Sequence, residues 1–239
     1  MSLHWLQVKL TKKNIVMVYV YYCKNDVLSE PVYRSWMHLM PLKFVQKLNK
    51  LVHRHDAQAS LLGRVLLLYA LKQLGYGYLM LSDIQFNVYQ RPYFDNTDID
   101  FNISHSGEYV VCAVSKQNRV GIDIEQVKPI LLDDFIPILS EQELEEIQCH
   151  PAGKLEGFYR IWTQKEALVK AEGSGLNLPV KEIRIIDGQA LLSGSTWHLY
   201  ELHLSDGYKV HLAFEAPETG KRSVSVKPLN TREMADSFL

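Results

Sequence analysis

Two short acidic segments constrain what this chain can fold into: Gly121-Ile-Asp-Ile-Glu125 and Trp162-Thr-Gln-Lys-Glu-Ala-Leu-Val-Lys170. Acidic and apolar residues alternate in the first segment, as is typical of a strand with one buried face. Because side chains at i and i+2 of a strand share a face, we expect Asp123 and Glu125 to lie together. The isoleucines between them then point into a core.

The second segment has the apolar spacing of a helix, which we expect to span residues 155–172 and to end at Gly173. Glu166 and Lys170 are four residues apart and are therefore neighbours on one face of that helix. If the strand and the helix meet, the carboxylates of both segments converge next to a lysine. Hard divalent cations prefer such oxygen ligands, with phosphates completing the coordination shell.

A simpler interpretation of the same residues stays open. Asp123 and Glu125 also fit the solvated face of an amphipathic strand. Glu166 and Lys170 also fit an ordinary ion pair on a helix, with Lys165 as a further surface charge. Taken one at a time, the two segments do not decide between these interpretations.

The order of predicted elements indicates the fold class. A strand, then helices, then antiparallel strands occur in each half of the chain, so we expect an α+β protein of two similar α+β halves. In this pseudo-dimer, antiparallel sheets are packed by helices. The polar residues 116–118 mark the seam, which gives an N-terminal half of residues 1–117 and a C-terminal half of residues 118–239. The polar tail from Pro217 is expected to be loosely held.

Composition excludes several classes of protein. A net charge of −1 gives no reason to expect nucleic acid or an anionic membrane as a partner. The three cysteines, Cys23, Cys112 and Cys149, form no C-x-x-C pair, so we expect reduced structural thiols in a reducing compartment. The N-terminus lacks the pattern of a secretory signal, and no apolar run is long enough to span a bilayer. We therefore expect a cytoplasmic protein.

Several cations and one histidine are further candidates for a site. His105 stands in Asn102-Ile-Ser-His-Ser-Gly107, which we interpret as the end of a strand and the turn of a hairpin. Arg91 precedes a proline, and Lys47 and Arg54 lie along the polar side of helices. Each has an ordinary explanation as an exposed charge. Together with the acids, they are typical of a site for a polyphosphate ester bound with Mg²⁺.

At these positions the chain resembles the 4′-phosphopantetheinyl transferases of the Sfp (surfactin-synthetase-activating) type. The family pattern is G-[I/V]-D-[I/V]-E followed by W-[S/T/A]-x-K-E-[A/S]-x-x-K, and the two acidic segments match it in order and spacing. Other stretches within residues 40–180 are also similar to elements of the family: Ala59-Ser-Leu-Leu-Gly63, Asn102-Ile-Ser-His-Ser-Gly107 and Glu172-Gly-Ser-Gly-Leu-Asn-Leu-Pro179.

The resemblance implies roles for the acids. Asp123, Glu125 and Glu166 match the Mg²⁺ ligands of the family, and Mn²⁺ suits the same oxygens. Glu166 is also our candidate for the general base, acting directly or through metal-bound water.

The resemblance also implies contacts to coenzyme A. Ser104 and His105 match residues that contact its phosphates, and Lys170 matches a lysine at the pyrophosphate. Arg91 matches a cation near the adenine nucleotide. We expect Lys170 and His105 to assist catalysis together with Glu166.

The contact to the 3′-phosphate of coenzyme A stays open. Lys47 and Arg54 fall near basic residues that serve this phosphate in the family, in a region without a fixed motif. Some members carry a cation where this chain has Ala59, and Arg64 follows shortly after it. The choice is therefore among Lys47, Arg54 and Arg64.

The activity implied by the resemblance is a transfer of the holo-[acyl-carrier-protein] synthase type. Phosphopantetheine passes from coenzyme A to a serine of an apo acyl carrier protein, or of a peptidyl or aryl carrier domain, and adenosine 3′,5′-bisphosphate leaves. We expect a monomer with Mg²⁺ as cofactor and with no nucleic acid or membrane partner. The alternative is a non-catalytic module that binds coenzyme A or a nucleotide.

Overall fold

The computed structural model describes residues 15–216 and 221–238. Its strands are β1 Ile15–Lys24, β2 Ile84–Phe86, β3 Pro92–Phe94, β4 Ile99–Ser106, β5 Tyr109–Lys116, β6 Val120–Gln126, β7 Gln189–Leu192, β8 Ser195–Glu201, β9 Tyr208–Glu215 and β10 Lys221–Pro228. Its α-helices are α1 Glu30–His38, α2 Leu42–Leu48, α3 Arg54–Gln73, α4 Glu141–Gln148, α5 Lys154–Glu172 and α6 Thr231–Asp236.

Two four-stranded sheets form the framework. The first sheet has the strand order β10-β1-β5-β4 and the second has the order β6-β9-β8-β7, while β2 and β3 form a small separate pair. All neighbours are antiparallel except β1 and β10, which are parallel. Helix α3 packs on the outer face of the first sheet, and α5 packs on the outer face of the second. The predicted α+β fold with two sheet-containing halves is confirmed.

The two sheets face each other across an apolar core. Valines of β1 and β5 meet Ile122 and Ile124 of β6 and the apolar residues of β9, and most of these side chains are fully buried. Because side chains alternate along a strand, Asp123 and Glu125 point to the opposite face of β6, toward α5. The predicted division of β6 into an apolar and an acidic face is therefore confirmed, although Asp123 is buried rather than solvated.

Gly121 sets how closely α5 approaches β6. A Cβ atom at this position would overlap the backbone of Ala167 and Ala171 in α5. Only a glycine lets helix and strand come this near without displacement. The close contact brings Glu166 and Lys170 over the acidic face of β6.

Helix α5 is held by α4 through a buried ion pair. Lys165 is 1% exposed, and its ammonium lies 2.7 Å from the carboxylate of Glu143. Glu143 also closes a capping box with Ser140 by accepting a hydrogen bond from the Ser140 amide at 2.8 Å. The expectation that Lys165 is a surface charge is wrong, because this carboxylate and the Ile138 carbonyl compensate its charge and donors inside the protein.

The end of the chain is an integral part of the first sheet. Strand β10 pairs with β1 along its whole length, and α6 buries Met234 completely against the core under α3. The expectation of a loosely held tail is wrong for residues 221–238. The polar composition of β10 is typical of an edge strand, whose backbone pairing does not depend on apolar side chains.

Two further predictions are tested by the fold. The cysteines are free thiols, with Cys23 and Cys112 buried and Cys149 exposed. Among the described residues, no helix has the length and apolar character needed to cross a membrane.

Candidate active site

Six of the residues singled out by the sequence come together where β4, β6 and α5 meet: Ser104, His105, Asp123, Glu125, Glu166 and Lys170. They surround a cavity of about 320 Å³ whose lining is Ile103, Ser104, His105, Asp123, Glu125, Trp162, Glu166 and Lys170. Ile103, Ser104 and His105 come from the first half of the chain and the others from the second. The cavity therefore lies at the junction of the two halves.

Asp123 is the most buried acid of the cavity, with 2% exposure. Its Oδ1 accepts hydrogen bonds from the Lys170 ammonium and, at 3.0 Å, from the Ser104 hydroxyl. Its Oδ2 is buried and has no partner among the described residues. Burial raises the pKa of Asp123, and Lys170 opposes that shift. The structure thus holds a carboxylate that lacks part of its normal solvation.

The other two acids lie beside Asp123 and are half-buried. The Ser106 hydroxyl donates to Glu125 at 2.8 Å. Burial raises the pKa of Glu125 and that of Glu166, and the neighbouring carboxylates act in the same direction on both. Clustered acids with raised pKa values are a frequent feature of functional sites, because such a cluster gains from an added cation.

The donor set suits a hard divalent ion. As the side chains stand, no group of at least three His, Cys, Asp or Glu side chains within residues 15–216 and 221–238 is arranged to hold an ion. In this arrangement the Lys170 ammonium occupies Oδ1 of Asp123. The unpartnered Oδ2 of Asp123 is nevertheless a buried acceptor that an ion would satisfy, and carboxylate oxygens are the ligands that Mg²⁺ and Mn²⁺ prefer.

His105 lines the cavity and is exposed to solvent. Desolvation lowers the pKa of His105. The charge of Asp56 opposes this shift, whereas the charges of Lys170 and Arg64 add to it. This shift favours the neutral imidazole. It is suited to donate a hydrogen bond to a phosphate rather than to act as a fixed cation.

Arg91 lies beneath the site and connects the two halves. Its guanidinium is 8% exposed and donates to both carboxylate oxygens of Asp100 and to the carbonyls of Pro92, Lys170 and Val120. These contacts use all five of its N–H donors. Arg91 thus fixes the start of β6 and the end of α5, and it presents no spare donor to a nucleotide in this arrangement.

A second cavity, of about 600 Å³, adjoins the first at Ile103. Its lining combines cations with aromatic and aliphatic side chains: Lys43, Phe44, Lys47, Arg64, Leu67, Leu81, Phe86, Phe101 and Ile103. The Arg64 guanidinium lies 4.5 Å from the centre of the Phe44 ring. No hydrogen bond or ion pair of Arg64 is found in the described part of the chain.

Arg54 is separated from this second cavity. It forms an ion pair with Glu30 at 2.9 Å and lies over the Tyr33 ring at 5.3 Å, on the protein surface. The structure therefore brings together two of the three cations considered for the 3′-phosphate, Lys47 and Arg64. The sequence leaves the choice among the three cations open, because the position of Arg64 directly after Gly63 in a long apolar helix gives no sign of a polar cavity.

Comparisons with known proteins identify the family of the chain. Residues 29–117 match the family model described as 4′-phosphopantetheinyl transferase, N-terminal, and residues 119–213 match that of the 4′-phosphopantetheinyl transferase superfamily. The 4′-phosphopantetheinyl transferase Sfp of Bacillus subtilis is 32% identical over 212 residues, which are 84% of this chain and 93% of that protein. The 4′-phosphopantetheinyl transferase gsp of Aneurinibacillus migulanus is 32% identical over 198 residues, 79% of this chain and 81% of that protein.

A solved structure is similar over a smaller part of the chain. The holo-[acyl-carrier-protein] synthase of Thermotoga maritima is 23% identical and covers 42% of this chain and 64% of its own, with a TM-score of 0.35. The family assignment rests instead on the sequence matches, which extend over both halves. The chain belongs to the 4′-phosphopantetheinyl transferase superfamily and, within it, to the Sfp type.

Proposed function

We propose that this protein transfers the 4′-phosphopantetheine group of coenzyme A to a serine hydroxyl of an apo carrier protein, a reaction of the holo-[acyl-carrier-protein] synthase type. The observation that carries the proposal is the position of Asp123. Its buried, unpartnered oxygen lies beside Lys170, next to a second cavity rich in cations and aromatic rings. A polyphosphate ester with a planar base fits these two adjoining cavities.

Coenzyme A would extend across both cavities. We assign the pyrophosphate to the smaller cavity, where His105 and Lys170 supply hydrogen-bond donors and Ser104 forms part of the wall. We assign the adenosine 3′-phosphate end to the larger one, near Lys47 and Arg64. Arg91 supports this site from below rather than as a direct ligand, and we assign Arg54 no contact.

The acids are assigned to a divalent ion. Asp123, Glu125 and Glu166 would hold Mg²⁺ or Mn²⁺, which when bound supplies charge neutralisation at the pyrophosphate. Lys170 is already held at the same place by Asp123, so its ammonium is available to a phosphate oxygen as charge develops there.

In the transfer step the serine oxygen of the carrier forms a bond to the phosphorus that bears pantetheine. The bond from that phosphorus to the bridging oxygen breaks, and this oxygen leaves with its electron pair on adenosine 3′,5′-bisphosphate. The serine proton passes to Glu166. Burial raises the pKa of Glu166, which makes its carboxylate a stronger base than an exposed glutamate. The nucleophile belongs to the partner, so this chain supplies none.

Intact mass spectrometry tests the proposal. Purified protein, coenzyme A and Mg²⁺ are incubated with apo carrier domains from fatty acid, polyketide and nonribosomal peptide pathways. We expect at least one carrier to gain the mass of one phosphopantetheine, and we expect a chelator to prevent the gain. If no carrier gains this mass while coenzyme A still binds, the alternative of a non-catalytic coenzyme A or nucleotide-binding module replaces the proposal.

A further inference from the structure

Side chains of β4 hold the backbone of β6 across the junction of the two halves. Four residues of β4, two apart, each accept the amide of a β6 residue: Asp100 from Val120 at 2.7 Å, Asn102 from Ile122 at 2.9 Å, Ser104 from Ile124 at 3.4 Å and Ser106 from Gln126 at 3.1 Å. We call these four β4 side chains the polar ladder.

The polar ladder satisfies groups that the second sheet leaves unpaired. Strand β6 is the edge of that sheet, so the amides on its outer side have no neighbouring strand. Buried amides without a partner are costly, and the ladder supplies an acceptor to each. The constant two-residue step on both strands fixes which β4 side chain meets which part of β6.

The two serines of the ladder have a second contact. While each hydroxyl oxygen accepts a β6 amide, its proton is donated to the acid that precedes that amide. Ser104 donates to Asp123 at 3.0 Å, and Ser106 donates to Glu125 at 2.8 Å. A side chain of the first half thus orients each β6 acid of the second half.

We propose that Ser106 is a positioning residue that holds the Glu125 carboxylate where it can share an ion with Asp123. The inference rests on the proposed assignment of the ion to Asp123, Glu125 and Glu166. A glutamate side chain has several rotatable bonds and loses substantial entropy when it is fixed. The Ser106 hydroxyl fixes it before the ion arrives. Groups that orient metal ligands in this way typically change metal affinity by about 10- to 100-fold.

Binding of Mn²⁺ to the full chain, followed by electron paramagnetic resonance with and without coenzyme A, tests the inference. We expect Ser106→Ala to weaken Mn²⁺ binding by about tenfold or more, and Ser106→Thr, which keeps the hydroxyl, to restore it. The matched control is Ser195→Ala on β8, which removes a similar hydrogen bond to Glu215 at 2.6 Å away from both cavities. This variant should bind Mn²⁺ as the wild type does.

A second measurement separates positioning from stability. For Ser106→Ala we expect the Mg²⁺ concentration for half-maximal transfer to rise, while the rate at saturating Mg²⁺ falls much less. Thermal unfolding reports the structural part of the effect. If Ser106→Ala does not fold, Ser106→Cys replaces it, because a thiol keeps the size but donates and accepts weakly.

The outcomes are distinct. Unchanged Mn²⁺ affinity in a folded Ser106→Ala or Ser106→Cys variant overturns the inference, whatever its unfolding temperature. Absence of Mn²⁺ binding to the wild type, both with and without coenzyme A, overturns it as well. If the wild type binds Mn²⁺ and Ser106→Ala weakens that binding, but no carrier is modified, then the proposed function fails while the role of Ser106 stands.

Discussion

At the scale of single residues, burial determines what the charged groups can do. Asp123 is almost without solvent and accepts a hydrogen bond from Lys170 at one oxygen, whereas its other oxygen has no partner within residues 15–216 and 221–238. A buried carboxylate in this condition is costly in the free protein and gains from a cationic ligand. The same reasoning applies to Arg64, a guanidinium beside the second cavity with an aromatic ring as its neighbour.

The assignment of the 3′-phosphate to Arg64 is tested by two arginine variants. We expect Arg64→Gln to weaken coenzyme A binding by about 10- to 100-fold, since a hydrogen bond to a charged group contributes about 1.5–3 kcal/mol. Arg54→Gln is the matched control, because Arg54 is on the surface with Glu30. Isothermal titration calorimetry measures the affinity of both variants for coenzyme A and for its 3′-dephospho form. A larger effect of Arg54→Gln would place the 3′-phosphate elsewhere.

The buried histidine His211 should make the free energy of unfolding depend on pH. It is 1% exposed, and burial, with help from Arg160 and Lys209, lowers its pKa from 6.5 to about 3. The unfolded chain therefore takes up a proton below pH 6.5 that the folded protein does not bind. Stability is fully present above that pH and falls as the pH decreases toward the folded pKa, by about 2 kcal/mol at pH 5.

Urea unfolding of variants at pH 7 and pH 5 measures the contribution of His211. In His211→Gln the loss of stability between the two pH values should be smaller than in the wild type by about 2 kcal/mol. His203→Gln is the control for replacement of a histidine at the surface, because the His203 side chain is 81% exposed. An identical pH dependence in His211→Gln and the wild type would contradict the prediction.

At the scale of elements, the distance between α5 and β6 determines whether the site exists. We expect Gly121→Ala to push α5 away from β6, because the new methyl group would overlap helix backbone atoms. A displacement of about 1 Å in catalytic groups can reduce a rate by about 100-fold. The initial rate of carrier modification is the measurement. Gly77→Ala is the control, since a Cβ there meets only ordinary contacts with Lys72, and equal rates in both variants would contradict the account.

The same elements show how far the sequence predicts this structure. The alternation in Gly121–Glu125 and the helical spacing around Glu166 predict β6 and α5 correctly, because local periodicity determines both. The polar ladder is not predictable in this way. Polar residues alternating along β4 are typical of a solvated face. In the structure they accept hydrogen bonds from the amides of β6, a contact that no local sequence pattern indicates. The expectation that Lys165 is a surface charge is wrong for the same reason, since its partner Glu143 is on another helix.

At the scale of the whole molecule, β10 and α6 near the end of the chain pack onto the first half. Strand β10 returns from the second half to complete the first sheet, and α6 packs against α3. The sequence does not reveal this return, because an edge strand with polar side chains resembles a loose tail. The fold therefore joins β1 to β10, and β10 belongs to the first sheet although it follows the proposed boundary between residues 117 and 118.

A substitution in α6 tests whether this helix is firmly packed. Met234 in α6 is fully buried, so we expect Met234→Ala to lower the free energy of unfolding by about 2–5 kcal/mol. Arg232→Ala changes the same helix at a side chain that is 92% exposed and should be close to neutral. Chemical denaturation measures both. A negligible effect of Met234→Ala would mean that the tail is loosely held after all.

Acids from the second half and donors from the first form one proposed site for phosphopantetheine transfer. Intact mass spectrometry of an apo carrier domain, incubated with Mg²⁺, coenzyme A and either the wild type or Glu166→Gln, tests whether this site carries out the transfer. We expect a gain of one phosphopantetheine with the wild type and none with Glu166→Gln, although the variant stays folded and still binds coenzyme A. Modification of the carrier by Glu166→Gln at the wild-type rate would contradict it.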